Sequence, residues 1–162
     1  MSRFAAQTSV SAEKSRAELE RTLQRHGADG FMYGREGARA IVGFTMPRGD
    51  GAGRPWMVRF ELPLPDPRSV EFTKTSGTKR TRNPVDAQRA WEQATRQRWR
   101  ALLLVVRAKL EAVESGITLF EQEFLAHLVI PGGQTVGTWS APHLSEAYDS
   151  NRPLPKLLGA HS

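Results

Sequence analysis

The chain has 162 residues, 39% of them hydrophobic and 25% charged, so a packed core fits within one domain and global disorder is excluded. Its 23 Lys+Arg stand against 17 Asp+Glu for a net charge of +6, and 18 of the basic residues are Arg. It has no cysteine, which excludes disulfides, thiolate-ligated zinc, iron–sulfur clusters and thiol nucleophiles. An Arg-rich excess suits phosphate or carboxylate partners, because the guanidinium is a planar fork of donors; GC-rich coding would give the same bias with no binding role.

Residues 1–10 read as a flexible lead-in, and residues 11–162 as a single α+β domain. Ser11 is placed as an N-cap with Glu13 in the first turn, opening a helix that stops at Gly27. Its apolar stripe (Ala12, Ala17, Leu19, Leu23) is thin and predicts a surface helix. The period then changes to two. In "RPWMVRFELPLP" Trp56, Val58, Phe60, Leu62 and Leu64 alternate with Met57, Arg59, Glu61 and Pro63. In the run before it, Ala40, Val42, Phe44 and Met46 share one face. Turn chemistry at Gly34–Gly37 and in "PRGDGAG" separates the runs and predicts a three-stranded antiparallel meander.

Lys74, Lys79, Arg80 and Arg82 sit among Thr, Ser and Gly, which reads as an exposed, mobile basic loop. Asn83 as N-cap, Pro84 at the first helical position and Asp86 in the first turn then open a long helix ending at Ser115–Gly116. Ala87, Trp91, Ala94, Ala101, Leu102, Val105, Ala112 and Val113 are its predicted buried arc. Arg98 and Lys109 intrude on that arc. For Arg98 a structural ion pair with Glu61 or Glu71 is favoured over stacking on Trp91, snorkelling past the sheet edge or a ligand contact. The run "ALLLVV" is apolar nearly all round, so the middle of the helix needs cover on more than one side. Downstream, "TLFE" matches a capping box at Thr118, "LVIPGGQTVGTW" predicts a small hairpin, and another short helix is expected near Ser140–Pro142.

Arg89, Arg96, Arg100 and Arg107 recur at spacings of seven, four and seven along the same helix, forming one outer stripe. Four cations projecting alike from a rod suit a phosphate backbone; an ordinary solvated face, paired with Glu92, Glu111 and Glu114, is the competing reading. The tryptophans read as core anchors, except Trp99, which lies beside Arg96 and Arg100 and could stack a base. Glu123, His127 and His143 are the best approach to a metal set, but no HExxH or facial-triad spacing is present. No phosphate-binding glycine loop and no GxSxG occur. No catalytic residue, metal ligand or cofactor is therefore assigned.

The segments "VSAEKSRAELERTLQRHGADGFMYG", "VRFELPLP", "WEQATRQRWRALLLVVRAKLEAVESGITLFEQEFLAHLVIPGGQTVG" and "PLPKLL" resemble a family of small uncharacterised proteins of bacteriophage, prophage and mobile elements. The resemblance spans nearly the whole chain. It implies a phage-type cytoplasmic protein acting near nucleic-acid metabolism or on a host process, and it carries no catalytic motif. The expected fold is α+β, with a three-stranded antiparallel sheet packed on one long helix, shorter helices and a small C-terminal hairpin around it. The expected function is a non-enzymatic nucleic-acid-binding accessory protein, with DNA favoured over RNA. Its contacts would be Lys74, Lys79, Arg80 and Arg82 on the loop and Arg89, Arg96, Arg100 and Arg107 on the helix. The alternative is a protein-binding module, acting on a host or phage protein or as a homo-oligomer. No apolar leader and no membrane-spanning run are read in the sequence, so a cytoplasmic location is expected.

Overall fold

The alternating runs form a meander of strands β1 (Gly30–Glu36), β2 (Arg39–Met46) and β3 (Trp56–Pro63) in the computed structural model, which describes residues 3–154 and, from residue 12 on, their side chains. Both pairings are antiparallel, with Phe31 opposite Phe44, and Phe44 opposite Val58. The first turn is two residues long, and Gly37 supplies its positive φ of 56°. Because side chains alternate, one sheet face carries Ala40, Val42, Phe44, Val58, Phe60 and Leu62, all buried. The opposite face presents Met32, Ile41, Met57 and Arg59 around Gly43.

On the buried face lie two helices, α1 (Arg3–Arg25) and, after the short α2 (Val70–Thr73), α3 (Pro84–Glu114). Helix α1 begins at Arg3, so Ser11 is an interior position and not the expected N-cap, and the expected lead-in falls largely within the helix. Of its thin stripe Leu19 and Leu23 are each 1% exposed, Ala12 is half-buried and Ala17 is exposed. The helix ends where expected, at Gly27 with φ 97°, and the Ala28 N–H closes back onto the Leu23 carbonyl.

Helix α3 also follows its predicted bounds. Asn83 accepts from the Asp86 N–H at 2.8 Å, Pro84 follows it, and Gly116 beyond the end adopts φ 77°. At 31 residues it is about 46 Å long. Its buried side differs from the predicted arc, however. Glu92, Thr95, Trp99, Leu102, Leu103, Val106 and Leu110 face the core, an arc turned from the predicted one by roughly one residue, or about 100°. The reason is area. The predicted arc counted four alanines as equal to larger side chains, whereas the observed one buries Trp99 and three leucines. Two polar members disguise it: Glu92 accepts from Gln88 at 3.2 Å, and the Thr95 hydroxyl donates to the Trp91 carbonyl at 2.9 Å. Trp99 is therefore a core anchor at 2% exposure, not a stacking platform.

Past α3, helix α4 (Phe120–Glu123) and a 3₁₀ turn (Leu125–His127) follow, with Phe120 and Phe124 packed on the buried face of the sheet. The N-cap of α4 is Leu119, one residue later than the Thr118 expected. Phe124 is fully buried against Phe44, Phe60 and Phe120, with ring centroids 5.9, 6.3 and 4.5 Å away. The predicted hairpin is reduced to a Pro-Gly-Gly turn. Leu128 bridges Val58 on β3, and Val129 bridges Thr135 across the turn. Thr135 instead caps helix α5 (Val136–Ser150) through the Thr138 N–H at 3.2 Å. That cap starts the helix earlier than the predicted Ser140–Pro142, and Pro142 lies inside it. No helix among the described residues is long and apolar enough to cross a membrane.

Candidate functional site

Glu18 on α1 meets Arg107 on α3 at 2.8 Å, and His26 just past α1 meets Glu114 at 3.0 Å. Eight residues along α1 thus match seven along α3 in the same direction, so the two helices run parallel. The groove between them, of about 410 Å³, is lined by Lys14, Ser15, Glu18, Arg96, Arg100 and Arg107 with Leu103 and Leu104 beside them. Three members of the predicted Arg stripe therefore converge on one concave surface, where Lys14 joins them. Four cations face one carboxylate.

Two of the acidic residues expected to neutralise the stripe are engaged elsewhere, and the third, Glu111, lies along the stripe but outside the groove lining. Glu92 is buried with Gln88, and Glu114 holds His26. Among the described residues Arg96, Arg100 and Lys14 form no ion pair, and neither does Glu111. The Glu18–Arg107 pair is exposed on both sides (40% and 42%), so it contributes at most about 1 kcal/mol and is readily exchanged for another anion. Lys14 and Glu18 were not legible as site residues, because only the long-range docking of α1 reveals them.

The loop cations are placed differently. Residues 74–82 form a stitched turn and not a mobile loop. Lys74 bridges Thr81, the Thr75 N–H donates to the Arg80 carbonyl at 2.8 Å, and the Arg82 N–H donates to the Thr73 carbonyl at 2.8 Å. Gly77 and Lys79 take positive φ to make the bend. Lys74, Lys79 and Arg80 are exposed and Arg82 is half-buried. This turn follows α2, which shares a groove with Ala94, Gln97 and Arg98 of α3. Arg98 and Arg107 are nine residues apart, about 180° around the helix. The loop and the Arg stripe thus reach α3 from opposite flanks. Arg89 extends the stripe toward the start of α3 and is exposed.

No protein-family model, curated protein or solved structure matches this chain.

The two basic intruders separate once the true arc is known. Arg98 is exposed and forms no ion pair among the described residues, so the expected bridge to Glu61 or Glu71 is not made; Glu61 holds Arg39 at 2.8 Å instead. Lys109 is half-buried and ties α3 to α4, donating to the Glu123 carbonyl at 3.0 Å and to its carboxylate at 3.3 Å. Glu123 is thereby occupied, and His127 is stacked on Phe60 at 4.0 Å while His143 lies against Trp139 on α5. Among the described residues no three His, Asp or Glu side chains are grouped to hold a metal ion.

Burial, and then the Lys109 ammonium, lower the His127 pKa below its ordinary 6.5, with a backbone hydrogen bond to Arg59 opposing them. The folded state therefore favours the neutral ring. Its contribution is fully present above pH 6.5 and is lost as pH falls through that value toward the lower folded-state pKa. Thermal melts at pH 7.5 and 5.0 should show a larger loss for the wild type than for His127→Phe, which keeps the stack and removes the proton. Equal losses would mean that His127 is not a source of the acid sensitivity.

Proposed function

We propose that this chain is a non-enzymatic nucleic-acid-binding accessory protein that holds phosphates in the α1/α3 groove. The observation that carries the reading is the composition of that groove: Lys14, Arg96, Arg100 and Arg107 against the single carboxylate Glu18. Cations fixed along rigid helices release counterions when phosphates bind, which gives affinity without sequence preference. Arg89 extends the row, and Lys74, Lys79, Arg80 and Arg82 offer a second, weaker patch on the other flank of α3. The mobile-element setting implied by the resemblance favours DNA over RNA, and the cytoplasm as the place of action. The expectation of a protein-binding module or homo-oligomer rests on a different surface, the outer face of α3.

The test is fluorescence anisotropy with labelled single- and double-stranded DNA and RNA. With four phosphate contacts, raising salt from about 50 to about 200 mM should weaken duplex binding roughly 100-fold. Absence of binding to every probe at the lower salt sinks the reading, because phosphate neutralisation is strongest there.

A further inference from the structure

We propose that the outer face of α3 pairs, antiparallel, with the same face of a second copy of this chain, about a two-fold axis near Val105. The sheet and α1 cover one side of the apolar middle of the helix. The other side stays bare: Ala101 and Ala108 are exposed, Leu104 is 56% exposed and Val105 47%. A helix apolar on opposite sides is stable in water when both are covered. Ala101 and Ala108 are small enough for a second helix to approach within about 8–10 Å.

Charge selects both the occupant and its direction. Arg100 and Glu111 are eleven residues apart, about 20° around the helix, so they border the same side of the bare stripe. Neither has an ion-pair partner among the described residues. A two-fold axis normal to a helix pair brings equivalent borders together in opposite directions. With the axis near Val105, Arg100 of each copy lies level with Glu111 of the other, while Leu104 and Val105 meet at the centre. In a parallel pair the two-fold runs along the helices and sets opposite borders of the stripe against each other, so Arg100 and Glu111 would not meet. The stripe is thus complementary to itself in the antiparallel sense, the one that brings Arg100 and Glu111 together. The inference is independent of nucleic-acid binding, although Arg100 borders both surfaces.

The absence of cysteine makes disulfide trapping clean. Val105→Cys places the thiol beside its own copy, whereas Ala94→Cys lies eleven residues from the axis and about 33 Å from its copy. Under mild oxidation the first should give a covalent dimer of twice 18.0 kDa and the second should stay monomeric. Light scattering on the unmodified chain should give the same doubled mass without nucleic acid. Glu111→Arg should abolish it, and adding Arg100→Glu should restore it, a rescue that a misfolded variant cannot show. A single-chain mass at high protein concentration overturns the proposal, leaving the face bare or covered by the chain's own terminal residues. Trapping at both cysteine positions overturns the antiparallel arrangement. A doubled mass without trapping at Val105→Cys moves the interface elsewhere.

Discussion

Phe124→Ala is expected to lower the stability of the fold by about 3–5 kcal/mol, the range for deleting a buried aromatic ring. Phe124 has no exposed surface and is the point where four elements meet. Its ring lies edge-on to Phe44 of β2 and Phe60 of β3, stacks on Phe120 of α4, and has the Lys109 ammonium of α3 at 5.7 Å. The Phe44 and Phe60 rings that bound the cavity on the sheet side are themselves buried and can relax only partly into it, so both the transfer and the void terms are felt. Loss of the edge-to-face pairs adds about 0.5–1.5 kcal/mol each, already partly counted within that range. Domains of this kind hold about 5–15 kcal/mol in total, so the change removes a large fraction. Urea denaturation should show a midpoint lower by roughly 2 M with little change in slope. Phe124→Leu, which keeps most of the volume, should cost less than half as much. A cost below about 1 kcal/mol for the alanine variant would mean that α4 does not belong to the cooperative core.

That residue also marks how far the sequence could be read. The meander was legible because period-two alternation in residues 40–64 survives intact in the sheet: each residue expected inward on β2 is buried. The ends of α3 were legible because Asn83, Pro84 and Gly116 act through local geometry alone. The rotation of α3 was not, since its true arc contains Glu92 and Thr95, and the wrong arc is padded with alanine. Phe124 carries no periodic signal, because it caps a four-residue helix and meets its partners across the fold. The same holds for the groove. Arg96, Arg100 and Arg107 were visible as a stripe, but the stripe becomes concave only where α1 docks parallel to α3, a contact that spans 89 residues between Arg107 and Glu18. The loop was misjudged for a third reason. Thr75, Gly77 and Lys79 make a local turn whose hydrogen bonds resemble a flexible polar segment in composition.

The separation of loop and groove leads to the second large expected effect. In the proposed function Lys14→Ala combined with Arg96→Ala should weaken DNA binding on the order of 100-fold at about 50 mM salt and lower the salt slope by about two. Both residues line the groove, and neither belongs to the bare face of α3, so self-association is left in place. Both are also exposed, so the melting temperature should be unchanged. Lys79→Ala combined with Arg80→Ala removes the same formal charge from the turn on the opposite flank. A uniform attraction of a +6 chain for a polyanion would respond to the two pairs equally. A built groove would not, because only there do the cations converge on one ligand path: the loop pair should cost less than about tenfold and shift the slope by less than one. Equal losses would reduce the groove to bulk electrostatics, and a larger loss from the loop pair would move the site to Lys74–Arg82. The contrast therefore reads placement, with total charge held constant.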